Sequence, residues 1–341
     1  MTSKPPKTLK LLLRRLLAFL LHSTGFLRIY RRVRLRGRIP ILTYHRVLWP
    51  DTTDPKPQPG MYVTPPTFES HMRFLARHHT VISLHQLAHA LRSGTPLPHN
   101  TCVITFDDGW RDNLIHAVPI LRTFNLPASI FVVPAYVTHS DWFWPDKVSW
   151  LLPRLRFPLN SHFLAKHPSL HQLQARNDRS QPAVDQFIDD MKLLAPDIRN
   201  ELLTDLFRLA DGQECPTERL LLTWAELRAL ADDGIVIGSH SHTHEILTLV
   251  SPVEATTEIH RSRDEIKRQL GTNSFSFSYP NGNVNDELKA DVKNAGYVCA
   301  VSTRFGLVGA HDDLFCLPRI PIHDDVTFTI PLFACRLAGL L

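Results

Sequence analysis

The chain has 341 residues, 43% of them hydrophobic, which supports a substantial core and excludes wholesale disorder. Its net charge of +5 is unevenly placed: residues 1–40 hold eleven Lys or Arg and no Asp or Glu, leaving 27 basic against 33 acidic residues (net −6) in the remainder. A basic arm suits an anionic lipid or nucleic acid; the acidic body argues against a broad nucleic-acid surface, and no nucleic-acid partner is expected. The five cysteines are widely spaced without C-x-x-C, and ask for neither an oxidising compartment nor a Cys-rich metal site.

In KTLKLLLRRLLAFLLHSTGFLRIYRR the longest unbroken apolar run is residues 16–21. That is far short of the roughly 18–20 residues a span needs, and no small-residue cleavage site follows it. Leu9, Leu12, Leu13, Leu16, Leu17 and Leu20 share one helical stripe, with Lys10, Arg14 and Arg15 largely off it. This pattern predicts a basic amphipathic helix that lies on an anionic membrane surface or docks its leucines on the body. Residues 1–38 are therefore set apart from a domain spanning 39–341. Peripheral attachment to a membrane or a cytoplasmic location is expected, with export left open.

From Ile39 onward, strand-like and helix-like segments alternate. ILTYH reads as a strand, residues 68–76 as a helix, TVIS as a strand, and LHQLAHALRSG as a helix stopped by Gly94. CVITFDD, ASIFVV, IVIGSH, FSFSYP and VCAVST read as strands; NLIHAVPILRTFN, VEATTEIHRSRDEIKRQLG and DELKADVKNAG read as helices. Nearly continuous apolar strands separated by amphipathic helices predict an α/β fold with a parallel sheet under helices. Residues 145–222 break the rhythm and read as a helical insertion covering the domain, without a core of their own.

In parallel α/β folds, functional groups gather at the carboxyl ends of strands. Asp107 and Asp108 stand there, as do His240 and His244 in IGSHSHTH, Tyr279 and Asn281 in FSYPNG, and His45 in TYH. Adjacent strand side chains point to opposite faces, so the two aspartates can serve different centres. A divalent cation would remove their mutual repulsion. Asp108 with two imidazoles and an open position is a reasonable catalytic Zn²⁺ set. Two other His pairs share the i, i+4 spacing, His85/His89 and His167/His171; the strand-end position distinguishes His240/His244. Three tryptophans in DWFWPDKVSW would either form a sugar-stacking wall or seal the insertion onto the domain.

TFDDGW, HSHTH and FSYPNG together resemble the three motifs of the NodB-homology polysaccharide deacetylases, the family-four carbohydrate esterases. The similarity runs from about Ile41 onward and includes TYHRV, LTWAEL and NAGYVCAV. The resemblance implies a distorted (β/α) barrel of seven or so parallel strands. It also implies hydrolysis of an N-acetyl group from an amino sugar of a polysaccharide or lipid-linked glycan. Asp108, His240 and His244 would hold a divalent metal, zinc first, with cobalt, nickel or manganese as alternatives. Asp107 would be the general base, and a backbone N–H near Asn281 an oxyanion donor. Tyr279 and His45 would line the substrate site. The third motif's usual Arg is Ser278 here, so Arg319 in LPRI is the candidate to fix Asp107; His323 in IPIHDD is the candidate acid. The alternatives are a deformylase of an amino-sugar lipid and an inactive glycan-binding member of the fold.

Overall fold

The computed structural model describes residues 7–34, 36–139, 141–156, 159, 164, 169–176, 178–210, 215–271 and 276–340. Lys4 and His167 lie outside them, as do the side chains of Lys7, Leu9, Lys10, Arg31 and Arg34. The strands are β1 (Ile41–Tyr44), β2 (Arg46–Val47), β3 (Tyr62–Val63), β4 (Thr80–Val81), β5 (Thr101–Phe106), β6 (Ser129–Val132), β7 (Val236–Ser239), β8 (Ser276–Ser278), β9 (Cys299–Phe305) and β10 (Leu317–Pro321). Every residue of β5 is buried, as a strand covered on both faces requires.

Neighbours run β1-β10-β9-β8-β7-β6-β5, and β5 pairs back onto β1 with Tyr44 opposite Phe106. The result is a closed, all-parallel, seven-stranded barrel wrapped by helices, with β4 added beside β5. Strand β10 is not among the strands expected from the sequence. It forms nonetheless, and it carries the fully buried Arg319.

Local signals place the helices that follow the strands. Ser83 and Gln86, Thr223 and Glu226, and Ser251 and Glu254 each form a reciprocal capping box. Each box satisfies two backbone donors that a helix start would leave unpaired. Gly94 and Gly271 close two of these helices in the left-handed conformation, which glycine adopts without a Cβ penalty.

The insertion differs from expectation. Its helices Trp144–Leu151, Ser169–Arg176, Gln181–Met191 and Pro196–Leu209 enclose a separate apolar cluster. Val184, Phe187, Ile188 and Met191 recur at helical spacing on one of them and bury together with Trp142, Trp150 and Leu206. Trp110 and Val133 join this cluster from the barrel's rim, which fixes the insertion over the carboxyl ends of the strands.

The N-terminal helices Lys7–Ser23 and Phe26–Arg34 dock through small contacts. Ala18 and Leu27 pack with Leu332, Ala334 and Cys335 of helix Ile330–Leu337. The leucine stripe does not dock: Leu12, Leu13, Leu16, Leu17 and Leu20 stay between 45% and 59% exposed. No helix among the described residues is long and apolar enough to cross a membrane.

Candidate active site

Strand β5 ends at Phe106, and after Asp107 the chain turns sharply. Asp108 has φ +74 and Gly109 φ +77. The left-handed region is strained for a residue with a Cβ, and such strain concentrates where geometry serves a site. This turn, rather than the pleat of a strand, parts the two carboxylates. Asp107 faces Arg319, and Asp108 faces the histidines.

Asp107 is held in a buried network. Arg319 donates from Nη1 to Oδ1 at 2.8 Å and from Nη2 to Oδ2 at 2.6 Å. The same Nη2 donates to Ser278 Oγ at 3.0 Å, and Ser278 Oγ donates to Asp107 Oδ2 at 3.3 Å. Arg319 Nε donates to the Ser302 carbonyl at 2.9 Å, so the guanidinium is anchored to β9 as well. Burial alone would push the Asp107 carboxyl up. The Arg319 charge and hydrogen bonds, with His240 and His45, outweigh it and hold the carboxyl below its usual range.

Asp108 Oδ1 lies 3.5 Å from His240 Nε2 and 3.3 Å from His244 Nε2. One ligand atom from each of the three residues lies within 4.8 Å of the others. Trp110 Nε1 donates to Asp108 Oδ2 at 2.8 Å, leaving Oδ1 toward the imidazoles. His240 Nδ1 lies 2.7 Å from the Ser278 carbonyl, an arrangement that makes Nδ1 the donor and frees Nε2 as a lone pair. Burial pushes His240 down to about 4, keeping it neutral. Burial raises Asp108, but the hydrogen bond and charge of His244, with His45 and His240, hold it far below the usual range. Two imidazoles beside a persistent carboxylate, with His240 Nε2 free as a lone pair, form a donor set that fits a divalent cation.

The HSHTH segment is a tight loop, not a helical turn, so its i, i+4 spacing does not arise from helix geometry. Ser241 and His244 have φ +60 and +63. Glu258, from helix Pro252–Leu270, accepts from the backbone N–H of His242 at 2.8 Å and of Thr243 at 2.7 Å. No pattern in the sequence pointed to Glu258, since its role depends on a helix packing behind the loop.

These groups open into a cavity of about 350 Å³. His45, Tyr279 and Asn281 line it with Asp107, Asp108, His240 and His244. Tyr279 is buried with its hydroxyl donating to the Phe315 carbonyl at 3.0 Å. Asn281 takes φ +56 in the turn Pro280–Gly282, and its carbonyl accepts from Thr303 Oγ1 at 3.1 Å. Gly282 is required here: its φ is +79, and a Cβ would lie 1.9 Å from Thr303 Oγ1.

His323 is not among the side chains that line this cavity. After β10 ends, Asp324 and Asp325 accept from the backbone N–H groups of Thr64 and Gly60. That grip turns His323 toward Gly60, with its Nδ1 3.0 Å from Asp325 Oδ2. The tryptophans divide. Trp142 and Trp150 are buried in the insertion's cluster, whereas Trp144 packs against that cluster and lines the cavity, with the buried Phe143 beside it. Trp110, Arg46 and Asp146 also line it, and the sequence reading assigned none of them a role.

Comparison with known proteins follows the same lines as the geometry. The family model for polysaccharide deacetylase matches residues 94–300, more than half of the chain. YxkH of Bacillus subtilis (strain 168), provisionally named a polysaccharide deacetylase, is 20% identical over 287 residues, 84% of this chain and 72% of that protein. The Streptococcus pyogenes deacetylase PplD, solved with acetate, superposes with a TM-score of 0.56 at 19% identity, covering 85% of this chain and 95% of that one. A de-N-acetylase from Aggregatibacter actinomycetemcomitans superposes with a TM-score of 0.56 at 16% identity, covering 84% and 95%. At these identities the two structures speak for the fold.

Proposed function

The chain belongs to the polysaccharide deacetylase family, hydrolases of carbon–nitrogen bonds other than peptide bonds, and on that premise we propose a metal-dependent N-deacetylase of amino sugars in a polysaccharide or lipid-linked glycan. The observation that carries this reading is the convergence of Asp108, His240 and His244 beside an Asp107 held as a carboxylate, all opening into one cavity. A divalent cation on those three residues, zinc in the first instance, would polarise the acetamide carbonyl and make water easier to deprotonate.

Asp107 then accepts the proton of the attacking water, and Arg319 keeps it ionised and aimed through two parallel hydrogen bonds. The backbone N–H near Asn281 donates to the oxygen on which charge develops. Tyr279 and His45 line the pocket, while Trp144 offers an aromatic face to a pyranose ring.

Attachment to an anionic membrane surface is part of the same proposal. Two consecutive helices leave Leu13, Leu16, Phe19, Phe26, Ile29 and Val33 exposed. A groove beside them is lined by Arg28, Arg32, Arg73 and Arg77. Exposed apolar side chains next to a cluster of cations match a lipid surface with anionic headgroups.

The test measures acetate and formate released from N-acylated amino-sugar oligomers by protein loaded with Zn²⁺ or Co²⁺. Acetate release that is lost in Asp107→Asn, with bound metal retained, is the expected result. Formate in place of acetate selects deformylation. Binding of glycan with no release by the wild type selects an inactive module.

A further inference from the structure

The cavity holds more cationic side chains than hydrolysis uses. Arg319 is spent on Asp107, and Asp108 belongs to the cation set. Arg46, Lys56, Lys192 and Arg199 line the cavity as well, with Asp146 the one further carboxyl among the described residues. Arg46 opens β2, Lys56 stands in the loop between β2 and β3, and Lys192 and Arg199 come from the insertion. The fold therefore collects these cations from three separate stretches of chain.

Two of them are buried and only partly used. Arg46 is 5% exposed; its Nε donates to Asp112 Oδ2 at 2.8 Å, and its guanidinium carbon lies 4.1 Å from the centre of the Trp110 ring. Its Nη1 is buried with no hydrogen-bond partner, since Asp146 Oδ1 at 3.9 Å is beyond hydrogen-bond length. Arg199 is 4% exposed; its Nη2 donates to Glu245 Oε1 at 2.6 Å, and its guanidinium carbon lies 5.3 Å from the centre of the Trp144 ring. Its Nε is likewise buried with no hydrogen-bond partner. Lys56 is exposed and has no carboxylate partner among the described residues. Leaving a buried guanidinium N–H unpaired is costly, and a place on the wall of a ligand cavity gives the reason to keep it.

The Trp110 indole ties these cations to the reacting end of the cavity. Its Nε1 holds Asp108, and its face carries Arg46. When an acetamide sits at the cation set, a group on Arg46 is within reach of a substituent of the same sugar or of its neighbour.

We propose that this cavity selects glycans that carry an oxyanion beside the acetamido sugar, held by Arg46 and Arg199 with Lys56 at the entrance. The inference rests on the deacetylase reading above and names the substrate class of the same site. The oxyanion is the carboxylate of an adjoining uronic acid or a phosphodiester on the amino sugar's own anomeric carbon. Both present the acceptor oxygens that a guanidinium recognises. A neutral glycan displaces water from the cavity and leaves both N–H groups without an acceptor, which is how a site built for a polar group rejects a ligand that lacks it. Asp146 does not cancel these cations: burial pushes its carboxyl up to about 7, so near neutrality it can stand as an acid and donate to an oxyanion. Lys192 is turned to Asp189 at 2.9 Å, a solvent-exposed pair for which a ligand's charge can compete.

The experiment measures equilibrium binding to the metal-loaded full chain by calorimetry. The ligands carry a methanesulfonamide in place of the acetamide, so they are not hydrolysed. One is a disaccharide in which a neutral hexose precedes the amino sugar. The second has a hexuronic acid in place of that hexose, and the third is the neutral disaccharide with a methyl phosphodiester on the anomeric carbon of the amino sugar. Charge-assisted hydrogen bonds should tighten binding of one anionic ligand by about 10–100-fold over the neutral one. A preference for the second ligand assigns the uronate, and a preference for the third assigns the phosphate linkage. Arg46→Met and Arg199→Leu should each cut that preference about tenfold or more. Lys56→Ala, at an exposed side chain, should cut it about two- to fivefold, whereas Lys267→Ala, an exposed cation on helix Pro252–Leu270, should leave it unchanged. The wild-type preference and Lys56→Ala decide the matter even where a buried arginine cannot be replaced without unfolding. Equal affinities for all three ligands, or a preference that Lys56→Ala and both arginine variants leave intact, would overturn the proposal. Acetate release from the matching acetamido disaccharides is read in parallel. Release with equal affinities refutes the oxyanion selectivity alone; the binding preference without release supports it and refutes the deacetylase reading.

Discussion

Replacing Arg319 with Met isolates the contribution of one buried charge. The guanidinium makes two bonds to Asp107, at 2.8 and 2.6 Å, and is fully buried with it. Removing one partner of such a pair costs about 3–5 kcal/mol, because the other charge is left without compensation. At ~1.4 kcal/mol per pKa unit, Asp107 can escape that cost by taking a proton, with a rise of about two to three and a half units. The acid limb of kcat/KM for acetate release should therefore move to higher pH by about that much.

The pH dependence of the stability contributed by Asp107 should reverse in the variant. In the wild type, Asp107 lies below its unfolded value, so its contribution is present above the unfolded carboxylate range and is lost as pH falls through the folded value. In Arg319→Met, burial dominates and the folded value exceeds the unfolded one. The variant should be most stable below the unfolded range and weaken as pH rises toward the raised value. Acetate release as a function of pH, with urea unfolding at acidic and neutral pH, measures both effects. A folded variant whose acid limb stays where the wild type has it would refute the reasoning.

Trp110→Phe removes the 2.8 Å N–H bond that orients Asp108 while keeping an aromatic ring under Arg46; metal affinity should fall about 10–100-fold in chelator competition. Gly282→Ala puts a Cβ 1.9 Å from Thr303 Oγ1 at a φ of +79. It should cost about 1–3 kcal/mol in urea unfolding and slow acetate release by displacing Asn281. Leu13→Glu with Leu16→Glu alters side chains that are 56% and 57% exposed, so thermal unfolding should hold while flotation with anionic-lipid vesicles is lost. Retained flotation would remove this helix from the membrane-binding proposal.

Much of the site is written locally. TFDDGW and HSHTH each follow an apolar run that becomes a strand, so the residue types and their strand-end placement can be recognised without coordinates. The same holds for the alternation that builds the barrel and for the amphipathic stripe of the first helix. These are short-range patterns, set by the periods of strand and helix and by where a buried run must stop.

Tertiary structure decided the rest. That Arg319 reaches Asp107 depends on β10 lying between β9 and β1. That His323 pairs with Asp325 beside Gly60 depends on two carboxylates gripping the Gly60 and Thr64 backbone, far away in the chain. That Asp146 comes to 3.9 Å from Arg46 depends on the insertion folding back over the barrel through its own apolar cluster. Sequence carries what a residue can do and the period of the element it sits in. Which buried charge meets which partner is settled by long-range packing, because desolvation makes an unpaired charge costly wherever the chain places it.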